Sequence, residues 1–285
     1  MGSIQKAMQS VANQWDLNNV FPGLVVIDPA RSGKSNMAID EALLQNATPQ
    51  WPIVLRVYRW ELPTLSIGHF QRIEDRQYDP RLCDLPWVKR KTGGGAIVHD
   101  SELTYSILVP RRETQPVKGH NEALYRAIHL AFVDNLKTLG WNANLSETCT
   151  CKTTSNKETD AFLCFSRRTP VDLMVGRYKI LGSAQRRTAT GLIQHGSFLF
   201  RRAQSAPELF GLLDRPHDGA KEIDRGNHME NACSTDFEPM EMDFWIEFFV
   251  ASLKLGVSQL LQVNWQNGKL SDVLEIDESG VAGRN

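Results

Sequence analysis

Asp160–Phe200 reads DAFLCFSRRTPVDLMVGRYKILGSAQRRTATGLIQHGSFLF. Val171–Val175 and Ile180–Gln185 have the apolar, β-branched character of strands, and Gly176-Arg177 between them supplies a hairpin turn. Gly191–Phe200 reads as a third strand and carries Gln194, His195 and Ser197. Lys179 opens the second strand, and Cys164 precedes the hairpin in a short apolar run. A thiol, an amine and an imidazole are thus threaded through paired strands, which hold side chains more firmly than loops do.

Upstream, Trp87–Lys91 reads as a strand that runs into Thr92-Gly93-Gly94-Gly95, and Ala96–His99 and Leu103–Val109 read as strands beyond it. Three glycines after a strand often make only a turn. Between strands, their bare backbone also lets an acyl chain or a phosphate lie against a sheet. Leu24–Ile27, Ile53–Trp60 and Thr64–Ile67 add further strands. Helical spacing marks Asn36–Leu44, Asn121–Leu139 (with Gly140 as its cap), a short Pro207–Leu213 and a long Glu241–Leu261. Gly33-Lys34-Ser35 resembles the end of a phosphate-binding loop. That motif needs a glycine where Asp28 stands, so an ordinary helix entry is the better reading. His69, beside Gly68, reads as a solvated loop residue.

The 285 residues carry 32 basic and 33 acidic side chains, a formal net charge of -1, which argues against a general nucleic-acid binder. No apolar run reaches the ~20 residues of a membrane helix. The N-terminal MGSIQKAMQSVANQW has no apolar stretch for a signal peptide, so a cytoplasmic protein is expected. Five cysteines are too few for a disulfide framework. Cys149 and Cys151 lack a nearby second ligand pair, so no metal is expected and Thr148–Thr159 reads as a mobile loop. Asp214–Glu238 reads as an acidic connector and Ser271–Asn285 as a frayed end.

Cys164 alone is most simply a small buried residue. Lys179 alone is most simply a solvated hairpin lysine. Brought together, an ammonium would favour the thiolate, the nucleophilic form.

Four motifs in order carry a resemblance: Asn36-Met37-Ala38-Ile39-Asp40-Glu41; Arg56 to Trp60 with Pro63–Gly68; Lys91–Ala96 with His99-Asp100; and Lys179–Arg186 with Gln194–Ser197. Together they resemble the lipoate–protein ligase and octanoyltransferase family, whose core is similar to that of biotin–protein ligases. The likeness spans about Leu24 to Phe200. It implies a mixed α/β fold: a curved, largely antiparallel sheet flanked by helices, with a hydrophobic tunnel for an eight-carbon chain. It implies a catalytic domain over 23–262, after an N-terminal segment (1–22) and before an acidic tail (263–285). Lys179 falls on the family's lysine at the acyl carbonyl. Gly93, Gly94, Gly95 and His99 fall on the loop lining the acyl site. Cys164-Phe165 falls on the Cys-Phe of the single-domain octanoyltransferases, where the cysteine carries the acyl group. Arg56, Gly182, Ser183, Ala184, Gln194, His195 and Gly196 complete the implied substrate-binding set.

Two activities are open under this resemblance. An octanoyltransferase takes octanoyl from acyl carrier protein onto its cysteine and passes it to a lysine of a lipoyl domain or glycine cleavage H protein, without a cofactor. A lipoate ligase uses ATP and magnesium to make lipoyl-adenylate. Cys164, Gln185, Gln194 and the short stretch after Phe200 favour the transferase, whereas Gly95 and Arg167-Arg168-Thr169 depart from its pattern. A non-catalytic lipoyl-domain-binding paralogue is the third reading. The doublets Arg111-Arg112, Arg167-Arg168, Arg186-Arg187 and Arg201-Arg202 suggest a docking surface for an acidic carrier if they converge.

Overall fold

The computed structural model describes residues 20–112, 120–148, 162–166, 168–214 and 239–275. The strands are β1 (Phe21–Ile27), β2 (Ile53–Tyr58), β3 (Thr64–Ile67), β4 (Trp87–Lys89), β5 (Ile97–His99), β6 (Glu102–Pro110), β7 (Ala143–Leu145), β8 (Leu173–Val175), β9 (Tyr178–Arg187), β10 (Gly191–Leu199) and β11 (Val263–Asn267). The helices are α1 (Gly33–Asn46), α2 (His120–Thr138) and α3 (Pro239–Ser258). Eight strands form one sheet in the order β11-β1-β2-β6-β10-β9-β8-β7, and β4-β3-β5 form a second. β1 runs parallel to β2 and β11, and the remaining pairs of the large sheet are antiparallel. The mixed, mainly antiparallel sheet is the expected fold class.

Alternation along the central strands sends neighbouring residues to opposite faces. Leu55, Ile107 and Leu192 join the core under α2 and α3, with Phe132, Phe198 and Phe249. Val54, Leu108 and Ile193 meet Ile39, Leu43 and Leu44 of α1 on the other face. Ser32 caps α1, its hydroxyl accepting from Ser35 N–H at 3.2 Å. A Cβ at Gly33 would stand 2.9 Å from side-chain atoms of Trp60 and Thr64, so this glycine serves close helix packing. Asp28 is held by Arg31 at 2.9 Å and Arg56 at 2.7 Å.

Two expectations need correction. Pro207–Leu213 is not a helix; turns lead into a single 3-10 turn, Leu212–Asp214. The Asp214 carboxylate accepts from Arg202 N–H at 2.7 Å and Gly211 N–H at 2.8 Å, which curls the chain back on itself. Residues from 263 do not begin a tail: β11 adds to β1 in parallel register, and Leu270 and Leu274 are buried against the α1 side of the sheet. The polar alternation of VNWQN hid an edge strand. The expected mobile loop beyond Thr148, with Cys149 and Cys151, and nearly all of the acidic connector lie outside the described residues. No helix among the described residues is long and apolar enough to cross a membrane.

Several polar groups pin the helical layer to the sheet. Val171 C=O accepts from His129 Nδ1 at 2.6 Å, so Nε2 of the neutral ring accepts from the Ser183 hydroxyl at 2.8 Å. Tyr105 OH lies 2.6 Å from Ser183 Oγ and accepts from Gln194 Nε2 at 2.7 Å; Gln194 Oε1 accepts from Gln185 at 2.6 Å. Burial pushes His129 down to about 4 from 6.5, with the nearby Asp172 only partly opposing it. Burial also lowers His99 and His195. Between these values the unfolded chain binds more protons than the native one, so stability falls as pH drops from about 6.5 to about 4. Urea unfolding followed at several pH values should show this slope, and His129→Gln should make it shallower; an unchanged slope would place the proton uptake elsewhere.

Candidate active site

Cys164 lies in a short 3-10 turn, Cys164–Ser166, docked on the glycine run. Its N–H donates to Ala96 C=O at 2.6 Å, and Ala96 N–H donates to Phe162 C=O at 2.8 Å. A Cβ at Gly95 would lie 2.9 Å from both Cα and N of Cys164. Gly95 is therefore bare because the cysteine backbone occupies the space a side chain would need. Gly94 adopts φ +92, a region that favours glycine. Arg90 secures the run from behind, donating to Gly93 C=O at 3.3 Å and Gly95 C=O at 2.8 Å, and to Ser66 at 2.5 and 2.9 Å.

Lys179 reaches the cysteine from β9. Its Nζ lies 3.7 Å from Cys164 Sγ and 3.3 Å from Cys164 C=O. It is nearly closed to solvent and forms a 2.9 Å ion pair with fully buried Asp172. Asp172 also accepts from Thr169 N–H at 2.7 Å and from Tyr125 OH at 3.3 Å. A register shift between β8 and β9 lies next to Lys179. Gly182 makes room for the lysine: a Cβ there would lie 2.5 Å from Lys179 Cε.

These groups border a recess of about 400 Å³, open mouth included. Cys164, Gly94, Gly182, Ser183, Ala184, His99, His195 and Gly196 line it, together with Met37, Tyr58, Trp60, Arg90, Ile97, Thr104 and Ser197. Its wall is largely apolar with a few fixed polar groups. Trp60 stacks on His99 at 3.8 Å between ring centres. His99 is tied on both sides: Nδ1 bonds Glu102, and Nε2 accepts from Ser66 at 2.6 Å. His195 is held likewise, with Nδ1 3.5 Å from Asp40 and Nε2 2.5 Å from Thr92 Oγ1. Both rings are lowered by burial, which keeps them neutral.

Five predicted residues are not in this lining: Lys179 and Gly95 meet it only through Cys164, and three lie elsewhere. Arg56 has no exposed surface and does not line the recess; its donors bind Asp28 (2.7 Å), Asn36 (2.7 Å) and Asp40 (3.0 Å). Asp40 also accepts from Tyr58 OH and Ser106. Burial alone would raise the Asp40 carboxyl, but its bond with His195 and the charge of Arg56 outweigh that and lower it. Arg56 is thus the hub joining α1, β1 and β2. Gln194 faces the helical layer, in the chain of bonds that ends at His129. Gly93 lies outside the lining, below Phe70. The sequence reading missed Arg90 and Asp172. A lysine in so apolar a stretch (LMVGRYKIL) could have prompted a search for a carboxylate, and Asp172 is the nearest in sequence.

The described arginines of the doublets have local partners. Arg112 donates to Pro49 and Trp51 carbonyls, Arg168 to Arg177 C=O, and Arg202 pairs with Asp214, while Arg167 lies outside the described residues. Among the described residues no group of three His, Cys, Asp or Glu is placed to hold a metal.

Residues 32–231 match the family model described as the lipoyl protein ligase A/B catalytic domain. Among curated proteins, octanoyltransferase LipM of Bacillus cereus is 33% identical over 232 residues, covering 80% of this chain and 82% of that one. Octanoyltransferase LipM of Anoxybacillus flavithermus is 35% identical over 242 residues, covering 83% and 85%. Among solved structures, lipoate-protein ligase A bound with ATP aligns with a TM-score of 0.54 at 18% identity, covering 92% of this chain and 91% of that one. The bi-partite lipoate protein ligase of Thermoplasma acidophilum aligns at 0.55 and 18% identity, covering 91% and 89%. These structural likenesses concern the fold.

Gly95→Ala tests the docking of the cysteine on the glycine run. Its neighbours are backbone atoms that cannot swing aside, so Cys164 should shift by a fraction of an ångström or more. Misplacement of this order costs about a hundredfold in rate. Single-turnover acylation of Gly95→Ala checks this, with thermal unfolding as the control for gross misfolding.

Proposed function

The chain belongs to the lipoyl protein ligase A/B catalytic-domain family, and within it we propose an octanoyltransferase that works through a thioester on Cys164. The observation that carries this reading is the 3.7 Å approach of Lys179 Nζ to Cys164 Sγ at the wall of the recess. The names of the curated relatives support it. The one motif that leaned towards the ligase, Gly95, has a local cause in the packing of Cys164.

The donor is octanoyl-acyl carrier protein and the acceptor a lysine of a lipoyl domain or glycine cleavage H protein. With octanoyl in the recess, the Cys164 thiolate attacks the thioester carbonyl carbon. The Sγ–C bond forms, the donor's C–S bond breaks, and the donor thiolate leaves and takes a proton from water. Lys179 is placed to stabilise the oxyanion of the tetrahedral intermediate. The acceptor amine, in its neutral form, then attacks the acyl-enzyme. A C–N bond forms, the Sγ–C bond breaks, and the nitrogen loses its proton to solvent. Thioester exchange is near thermoneutral and amide formation is downhill, so the reaction needs no ATP.

Asp172 touches neither thiol nor substrate in this scheme. It is a positioning residue that holds the ammonium where Cys164 can use it. The short protein ligand network around it, Thr169 N–H and Tyr125 OH, keeps the carboxylate fixed.

Mixing the protein with octanoyl carrier protein in the absence of ATP, followed by intact-mass measurement, should give one octanoyl adduct, absent from Cys164→Ala. Lipoylation that needs ATP and free acid, with no adduct, would select the ligase. Lys179→Met should slow acylation by about a hundredfold or more, the usual cost of losing an oxyanion donor. Asp172→Asn should lower kcat for acylation while leaving KM for the donor nearly unchanged, and Asp172→Glu should recover part of the loss. Equal loss in both variants, with KM raised, would make Asp172 a part of the binding wall instead.

A further inference from the structure

A second recess of about 680 Å³, open mouth included, adjoins the acyl recess and shares Met37 and His195 with it. Lys89, Lys91 and Arg186 stand around it. Lys91 is matched by Glu41 at 3.2 Å. Lys89 donates to Gln71 C=O at 3.1 Å, and Arg186 donates to Lys91 C=O at 2.7 Å. Among the described residues no carboxylate pairs with Lys89 or Arg186. Asp40, the other acid of this wall, is engaged by Arg56, Tyr58 and Ser106. Two cations are therefore held in place by backbone carbonyls with their remaining N–H groups free to bind, beside the wall that also bounds the acyl site.

We propose that this second recess binds the phosphate of a phosphopantetheine thiol, the leaving group of the acyl donor, with Arg186 and Lys89 as its ligands; this rests on the octanoyltransferase reading. The geometry fits a donor that is long and flexible, with its acyl group in one recess and an anion beyond His195. A phosphate offers several acceptor oxygens, which suits a guanidinium and an ammonium that line one recess. The rim would then read the arm itself, whether it is free or attached to a carrier protein. A carrier's acidic surface would instead meet whichever cations lie outside the recess.

Two donors that differ only in the phosphate test this: octanoyl-phosphopantetheine and octanoyl-pantetheine. The readout is kcat/KM for acylation of Cys164, followed by release of free thiol. In the wild type the phosphate should raise kcat/KM by about tenfold, the worth of one charge-assisted hydrogen bond. Lys89→Gln and Arg186→Gln, each made singly, should bring the ratio of the two donors towards one, and octanoyl carrier protein should lose a similar factor. The unphosphorylated donor measured on the same protein corrects for any general loss of fold. A wild-type ratio of one overturns the proposal, while acylation by octanoyl-pantetheine would still uphold the transferase. A ratio that survives both variants also overturns it, as does a loss confined to the carrier protein, which would place the cations in protein docking. Failure of every donor to acylate Cys164 would reject the transferase reading itself.

Discussion

An ammonium group closed off from water must have a carboxylate beside it, because an unpaired buried charge costs several kcal/mol. Lys179 and Asp172 meet that condition at 2.9 Å. Much of the local architecture follows from it. Asp172 stands just before β8, anchored by Thr169 N–H and by a tyrosine from α2. The β8–β9 register slips beside Lys179, and Gly182 gives up its side chain to the lysine's stem. Tyr125 OH also accepts from Ser183 N–H at 3.0 Å, and its single proton is shared between Ser183 C=O at 2.7 Å and Asp172 at 3.3 Å, so α2 takes over where the partner strand β8 has ended. Without the ion pair, none of these departures from a regular hairpin would have a cause.

The two faces of the large sheet divide the work. One face carries aromatic packing under α2 and α3, crossed by a chain of bonds from Gln185 to His129. Its direction is set at one end, because a carbonyl can only accept. That fixes the neutral His129 tautomer, and the tautomer fixes the Ser183 hydroxyl. The other face carries α1 and the recess beside Cys164, with Arg56 and Arg90 each at the centre of a buried cluster of acceptors. Two imidazoles lie there, and both are locked by neighbours instead of left to titrate. The recess walls are therefore held by fixed contacts on both histidines.

The hairpin around Gly176-Arg177, the long strands and the long helices were legible because each has a clean period or turn residue. Cys164, Lys179, the glycine run and both histidines were legible only as a set, through their resemblance to a family. What failed to show has physical reasons. Asp172 and Arg90 act through contacts across the chain, which no local pattern encodes. Arg56 looked like a binding residue since it sits in a shared motif, yet its role is to neutralise two buried aspartates. Gly95 looked like a mark of subclass, whereas the approach of Cys164 explains it. β11 is amphipathic and polar because it lies at the sheet edge, half in water.

The pairing of β11 with β1 links the two ends of the described chain. Among the described residues β1 is the first strand in sequence and β11 the last, with every other strand between them. Until β11 pairs, one side of β1 presents open N–H and C=O groups, the kind of edge that recruits foreign strands. The interior of the sheet can assemble while β11 is still unpaired, so the joining of β11 to β1 comes last in chain order. Exposure of that β1 edge is the hazard that pairing removes, which gives β11 the part of a seal.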